Sequence, residues 1–151
     1  MSLKEIRSFK DLEVWNAAMD LVIVVYGLAA ALPASERYEL SAQVRRSSVS
    51  IPSNIAEGHA RRGRAYRNHV LIALGSTAEL ETQLEVAVRL KFLTPADVQE
   101  AVDLIARVGQ MLHGLARALR RRTLVTVGSA FAFIGIGVAM SLLPVVGTSL
   151  L

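Results

Sequence analysis

Apolar residues before residue 122 recur at steps of three and four, which is the period of an α-helix. Four stretches of the chain share this spacing, and no segment shows the alternation of a β-strand bounded by turns. Their apolar positions are Leu12, Trp15, Met19, Val22, Tyr26 and Ala29; Leu40, Val44, Ile51 and Ile55; Tyr66, Val70, Ala73, Thr77, Leu80, Leu84 and Ala87; and Val98, Val102, Ile105, Gly109, Leu112, Ala116 and Leu119. The pattern therefore predicts four helices.

Start and stop signals accompany the first two stretches. Ser8 with Asp11 three residues later predicts a capping box at the start of the first helix. Pro33 predicts its end. Gly58 marks the expected end of the second helix, and Pro52 within that helix removes one backbone hydrogen bond and is expected to bend it.

The fourth stretch has the clearest start in the chain, with Thr94 as N-cap, Pro95 at the first helical position and Asp97 in the first turn. Only a few residues connect one stretch to the next, so neighbouring helices are expected to run antiparallel. The sequence predicts an all-α fold, an antiparallel up-down-up-down four-helix bundle.

The chain changes character at its last thirty residues. Residues 123–151 contain no charged side chain or histidine, whereas the first 122 residues hold all 17 basic and all 13 acidic side chains. As a helix, residues 124–143 would span about 30 Å, the thickness of a bilayer's hydrocarbon core. We therefore divide the chain into a bundle, 1–122, and an apolar tail, 123–151. The tail is expected to insert into a membrane or lie on one; a segment buried in an oligomer and an extension not native to the domain are the alternatives.

Basic residues are concentrated in the middle of the bundle. Seven arginines between residues 37 and 67 face only two glutamates, a local charge of +5. Such a concentration attracts phosphate groups or an acidic partner. The densest part is predicted to bind backbone phosphate at a helix start, with its one aromatic residue stacking a base; its members are Arg61, Arg62, Arg64, Tyr66 and Arg67. A solvated face or a contact between subunits is the alternative.

A second polar group precedes this cluster. Helical spacing places Arg46, Ser50 and Asn54 along one face, with Glu57 three residues further on. These residues predict a polar seam in which Arg46 pairs with a carboxylate such as Glu57 or Glu79. The serine and asparagine would satisfy backbone groups left free by the proline.

Residue patterns for catalysis are missing from the sequence. The chain has no cysteine, and no glutamate stands three residues before His59, His69 or His113, so thiol chemistry and the di-iron pattern of helix bundles are excluded. No glycine-flanked serine elbow or glycine-rich phosphate loop is present. We expect no enzymatic activity, no cofactor and no metal.

Three segments in order resemble a known family: Phe9–Trp15, Arg45–Gly58 and Leu71–Glu85. They are similar to the bacterial four-helix bundle family, also called the S23 or 23S rRNA intervening-sequence protein family. The resemblance covers roughly residues 8–119 and leaves out the apolar tail.

The resemblance implies a four-helix protomer that assembles into a homopentamer, with no enzymatic activity. A related branch is the accessory subunit of diversity-generating retroelements, which binds reverse transcriptase and nucleic acid through basic surfaces. By position, the family's basic surface would comprise Arg45, Arg46, Arg61, Arg62, Arg64 and Arg67.

The expected function is that of a non-enzymatic homo-oligomer that contacts RNA, DNA or a nucleic-acid enzyme such as reverse transcriptase through its arginine-rich surface. The alternative is a structural or scaffold oligomer whose arginines make subunit contacts, attached to a membrane through residues 124–143. The N-terminus has no early apolar run, so a cytoplasmic protein is expected. If the tail inserts, Arg120–Arg122 stay on the cytoplasmic side.

Overall fold

Four α-helices follow one another along the chain, separated by short turns. In the computed structural model, which describes the backbone of residues 6–140 and the side chains of residues 6–121, no strand occurs in the described part. The helices are α1 (Glu13–Ala31), α2 (Leu40–Arg61), α3 (Gly63–Arg89) and α4 (Pro95–Met140), and single 3-10 turns occupy Phe9–Asp11 and Ala34–Glu36. The predicted all-α fold is confirmed.

Helix contacts arrange these elements as a closed bundle. Each helix packs against the next in sequence, and α1 also packs against α4. Connections are short: a single residue, Arg62, joins α2 to α3, and residues 90–94 join α3 to α4. Short connections force antiparallel neighbours, so α2 and α4 run in one direction and α1 and α3 in the other.

The core confirms the apolar stripes predicted for the last three helices. Every predicted position on α3 is buried, and Val44, Ile51 and Ile55 of α2 are 1% exposed or less. On α4 the buried positions include Ile105 and Leu112, both within the predicted stripe. These helices have one apolar and one polar face, so periodicity alone identifies the buried side.

The predicted stripe of α1 is only partly correct. Ala29 is buried and Leu12 and Trp15 pack against the core, but Met19 is 37% exposed and Tyr26 47% exposed. Nearly every side of α1 is apolar, so periodicity could not select a face. The structure instead buries the set that contains small residues, which allow close helix packing: Val14, Ala17, Ala18, Leu21, Val25 and Ala29.

The predicted capping box at Ser8 and the predicted N-cap at Thr94 are both present. Ser8 and Asp11 form the box, although it caps the 3-10 turn that precedes α1 rather than α1 itself. At the start of α4, Thr94 Oγ1 accepts from the backbone N–H of Asp97 at 3.2 Å, and the Asp97 carboxylate accepts from the Thr94 N–H at 2.7 Å. Hydrogen bonds from the backbone and side chain of Thr94 lower the pKa of Asp97.

Gly58 does not end α2 as predicted, because the helix continues to Arg61. Gly58 is buried where α2 approaches α3 most closely. A Cβ atom at this position would lie 2.7 Å from Cδ2 of Tyr66 and 2.9 Å from Cβ of His69. The glycine is therefore required by packing between the two helices, not by the end of α2.

Helix α4 extends beyond the division proposed at residue 122. It passes through Arg122 without a break and continues to Met140, so the first part of the apolar tail is helical. Residues 141–151 lie outside the described residues, and the division at residue 122 stays a prediction. Among the side chains described, α1 alone has the length and mean hydropathy of a membrane span, 19 residues at 1.7. It supplies six buried residues to the core, which accounts for that composition.

Replacing Gly58 with alanine tests the close approach of α2 and α3. Glycine to alanine inside a helix ordinarily stabilises a protein by about 1 kcal/mol. At Gly58 we expect the opposite, a loss of about 1–3 kcal/mol in the free energy of unfolding, because the added methyl group overlaps Tyr66 and His69. Urea denaturation at fixed protein concentration measures the change.

The matched control is Gly75→Ala in α3, where an added Cβ meets nothing within 4 Å. This variant should be more stable than the wild type by about 0.5–1 kcal/mol. Equal effects of the two substitutions would contradict the packing described here.

Candidate nucleic-acid interface

The turn between α2 and α3 presents three exposed arginines: Arg61, Arg62 and Arg64. Arg62 is the whole connection and has φ 58° and ψ −179°, and Gly63 follows with φ 55°. A left-handed backbone of this kind is adopted almost only by glycine and costs other residues on the order of 1–3 kcal/mol. The turn therefore holds an arginine where backbone geometry favours glycine.

A network of polar contacts joins α2 and α3 next to this turn. The Asn54 amide donates to the backbone oxygen of Ser50 at 2.9 Å, which directs its oxygen toward His69 Nδ1 at 3.0 Å. His69 Nε2 lies 3.8 Å from the Glu57 carboxylate. Glu57 also accepts from Arg61 at 2.6 Å. The network connects the first turns of α3 to the last turns of α2.

This network differs from the predicted polar seam. Glu57 pairs with Arg61 and His69 rather than with Arg46, and Arg46 is exposed with no carboxylate partner among residues 6–121. The Asn54 amide bonds the Ser50 carbonyl, not the carbonyl freed by Pro52. Pairing one helical turn away is geometrically simpler than pairing across eleven residues, which explains the preference for Arg61.

A separate polar seam joins the middles of α2 and α3. Ser47 Oγ donates to Gln83 Oε1 at 2.6 Å, and the hydroxyls of Ser50 and Ser76 lie 2.9 Å apart. Small hydroxyl side chains at these positions allow the two helices to approach closely while each oxygen finds a partner. Ser50, a member of the predicted seam, takes part in this contact, whereas Arg46 and Glu57 do not.

Tyr66 cannot stack a base as predicted. Its side chain is 9% exposed, its ring lies against Gly58, and the His59 ring packs edge-on at 5.9 Å between centroids. The hydroxyl is buried without a hydrogen-bond partner among the described residues. Burial raises the pKa of this hydroxyl above its ordinary value. Tyr66 is therefore a packing residue of the α2–α3 contact.

The structure divides the predicted arginine set. Arg45 and Arg46 lie in α2 about 24 Å before Arg61 along the helix axis. The Arg45 guanidinium lies 5.7 Å from the centre of the Tyr26 ring, a contact with α1. Arg67 is partly buried beside the turn. Of the predicted arginines, those from Arg61 to Arg67 therefore share one end of the bundle, and Arg45 and Arg46 do not.

Helices α3 and α4 run antiparallel from the connection at residues 90–94, so residues equally far from that connection lie at about the same level. The grooves between the two helices agree with this arrangement: Arg89 and Val98, near the connection, line one groove, and Leu74 and His113, further from it, line another. Levels on α3 can therefore be matched approximately to levels on α4.

Continuing this register brings further arginines to the turn. Arg67 precedes Leu74 by seven residues and Arg120 follows His113 by seven, so Arg67 and Arg120 lie at about the same level. The exposed arginines of α4 at this level are Arg117, Arg120 and Arg121. Sequence reasoning assigned them to the flank of the tail and missed their place beside the α2–α3 turn. The signal that could have found them is charge: residues 104–122 contain five arginines and no acid.

We call this group the arginine end of the bundle. Its exposed or partly buried members are Arg61, Arg62, Arg64, Arg67, Arg117, Arg120 and Arg121. Neither residues 58–78 nor residues 104–122 contain an aspartate or glutamate. Within the described side chains, Glu57 is the carboxylate that pairs with a member of the group.

Other features give no indication of a reaction centre. Three His, Asp or Glu side chains do not come together as metal ligands anywhere among the residues described. Glu85 pairs with Arg89 at 2.6 Å on the surface of α3. Glu79 accepts from Gln83 one turn away, as on an ordinary helix exterior.

A model of the 23S rRNA-intervening sequence protein family matches residues 10–114. The chain belongs to this family. The match includes the α2–α3 turn and ends before Arg117, so the α4 members of the arginine end lie beyond it. The predicted family resemblance is confirmed.

A solved structure with the same fold is that of a protein of unknown function from the S23 ribosomal protein family of Bacteroides thetaiotaomicron. It is 23% identical, with a TM-score of 0.64, and the alignment covers 69% of this chain and 95% of that chain. Comparison with curated proteins found no match. The structural likeness supports the fold of the family and leaves the molecular role open.

Replacing Tyr66 with phenylalanine tests its burial. An unpartnered buried hydroxyl costs about 1–3 kcal/mol, so Tyr66→Phe should unfold at equal or higher urea concentration at neutral pH. Burial raises the pKa of Tyr66 in the folded state, so the hydroxyl ionises first in the unfolded chain. Wild-type stability should therefore decline as the pH rises past about 10, and the variant should decline less.

The control is Tyr38→Phe, because Tyr38 is 83% exposed. Its denaturation curves from neutral to alkaline pH should match those of the wild type. A Tyr66→Phe protein with the same alkaline decline as the wild type would place the Tyr66 ring in solvent, contrary to the structure.

Proposed function

We propose that this protein is a non-enzymatic homo-oligomer that binds nucleic acid, or an enzyme carrying nucleic acid, through its arginine end. The observation that carries the proposal is the α2–α3 turn, where Arg61, Arg62 and Arg64 are exposed. Arginine presents several donors in a planar fork that matches phosphate oxygens. Salt-dependent binding to a phosphate backbone follows from such a cluster.

Fold stability does not account for arginine at these positions. Arg62 occupies a backbone conformation that favours glycine. Arg64 and Arg67 stand in the first turns of α3, which contain no acid to balance them. Positive charge at a helix N-terminus opposes the macrodipole and destabilises by about 0.3–1 kcal/mol per charge. The charges are therefore better explained by a partner than by the protomer.

The surface of α1 supports the homo-oligomer. Ile23 is 70% exposed, and Met19 and Tyr26 stand one turn to either side on the same face. Beside them an apolar groove of about 250 Å³ lies between α1 and α2, lined by Trp15 and Val49 among others. A contiguous apolar surface of this kind is typical of protein interfaces.

The absence of enzymatic activity is part of the proposal. Glu57 and Glu85 pair with arginines one helical turn away, and the grooves between α3 and α4 are open to solvent. Such surroundings support a binding role. The family resemblance adds reverse transcriptase as one nucleic-acid enzyme that could be the partner.

A salt series with labelled duplex DNA and single-stranded RNA tests nucleic-acid binding. The turn variant replaces Arg61, Arg62 and Arg64 with glutamine. Each phosphate contact contributes about −0.9 to the slope of log K against log salt on duplex DNA. If all three arginines bind phosphate, fluorescence anisotropy should show the slope of the variant flatter by about 2.7 than that of the wild type.

The matched control replaces Arg37, Arg46 and Arg107 with glutamine, since all three are exposed and lie away from the turn. It removes the same charge and should retain the wild-type slope. Equal slopes for both triple variants, or no binding at low salt, would reject the nucleic-acid proposal.

Sedimentation velocity tests the oligomer. Ile23→Glu should reduce the sedimenting mass, because assembly through α1 would bury an unpaired charge at a cost of several kcal/mol. The control is Leu90→Glu, an equal change at a position 54% exposed at the end of α3. An unchanged mass for Ile23→Glu would remove α1 from the interface.

The scaffold alternative makes a different prediction for the same measurement. If the arginines serve subunit contacts, the turn variant should lose mass in sedimentation and the control triple variant should not. Loss of nucleic-acid binding at constant mass would favour the first function over the scaffold.

A further inference from the structure

Helix α4 leaves the bundle at the arginine end. By the register of α3 and α4, the start of α3 at Gly63 is level with residue 124. Beyond this level α3 offers no partner, yet α4 continues as a helix to Met140. About 25 Å of helix therefore extends past the end of the bundle on the side where the arginines stand.

The continuation differs from the rest of α4 in composition. Residues 123–140 contain no charged side chain, and as a helix they measure about 27 Å, close to the roughly 30 Å of a bilayer's hydrocarbon core. Small polar residues such as Thr126 and Ser129 are compatible with a membrane helix. A helix without a charged face has no surface suited to water.

The arginine end lies at the depth that phospholipid headgroups would occupy. Arg117, Arg120 and Arg121 precede the uncharged stretch directly, and the turn arginines stand at the same level on the neighbouring helices. Residues 58–78 and 104–122 contain no acid, and the acids nearest this end are Glu57, which pairs with Arg61, and Asp11 and Glu13 at the start of α1. Clusters of four to eight basic residues next to a membrane helix are a recurrent way to bind anionic lipid.

We infer that the arginine end faces an anionic lipid bilayer, with headgroup phosphates on its arginines and residues 123–140 in the hydrocarbon layer. A nucleic acid offers phosphate but no partner for the uncharged helix. A bilayer offers phosphate groups at its surface for the arginines and, directly beneath them, a hydrocarbon layer for the uncharged helix that follows. This inference goes beyond the proposed function and uses the same arginines.

The similar S23 structure supports reading the continuation as an addition to a complete bundle. Of that chain, 95% is matched by 69% of this one, so the fold is accounted for without the remainder of this chain. The family match likewise ends at residue 114. The continuation therefore lies outside the part of the chain that the family shares, and its apolar composition calls for a partner outside the bundle.

Flotation of the full chain with lipid vesicles tests the inference. The vesicles contain phosphatidylcholine alone or with about 30% phosphatidylglycerol, which supplies the anionic headgroup. The full chain should float with both and more strongly with the anionic vesicles. Each arginine near an anionic surface strengthens binding by about 1 kcal/mol, or roughly fivefold, so the turn variant should bind anionic vesicles about 100-fold more weakly.

Two comparisons separate the charge from the helix. The Arg37, Arg46 and Arg107 variant should float as the wild type does. Ile134→Lys places a charge near the middle of the uncharged stretch and should weaken binding to both kinds of vesicle on the order of 100-fold. Ile134→Leu should leave it unchanged.

Outcomes distinguish this inference from the proposed function. Loss of flotation in the turn variant on anionic vesicles, with none in the control variant, supports a membrane-facing arginine end. No flotation, or flotation that the turn variant leaves unchanged, overturns it. If the turn variant then still loses binding to DNA or RNA, nucleic acid is the partner of these arginines and the proposed function stands.

Discussion

The close approach of α2 and α3 is the constraint on which the rest of the structure depends. Gly58 lets Tyr66 lie directly on α2, and a single residue, Arg62, connects the two helices. Hydroxyl contacts such as that between Ser50 and Ser76 keep the pair in register further along. Because the helices are held this tightly, the arginines of the turn stand at a defined end of the bundle instead of on a loop.

This arrangement separates charge along the bundle axis. Acids including Glu36, Glu39, Asp97 and Glu100 lie at or near the end where α1 meets α2 and α3 meets α4. The arginine end lies opposite, where Glu57 pairs with Arg61 and where Asp11 and Glu13 stand at the start of α1. A modest net charge of +4 therefore conceals a strongly basic surface. Such a separation orients a protein toward a polyanion, whether nucleic acid or lipid headgroups.

Predictions succeeded where local chemistry was unambiguous. Helices with one polar face, α2 to α4, showed their buried side in the sequence, and Thr94 caps α4 as predicted, whereas the Ser8 box caps the turn before α1. For α1 the predicted stripe was only partly correct because apolar residues surround the helix, and the small side chains of Ala17 and Ala18 are among those that the structure buries. The glycine at position 58 was correctly singled out, but as a helix end. The structure shows that it is required by packing against Tyr66, eight residues later in the sequence.

For the candidate site, the sequence identified the family and some of the arginines, but not the full set of residues that lie together. Periodicity, caps and charge counts depend on residues within a few turns of one another, and they sufficed for the all-α bundle and the exposed Arg61, Arg62 and Arg64. The burial of Tyr66, the separation of Arg45 and the arrival of Arg120 beside the turn depend on how antiparallel helices pass one another. Those relations join residues far apart in the chain, so packing in three dimensions had to establish them.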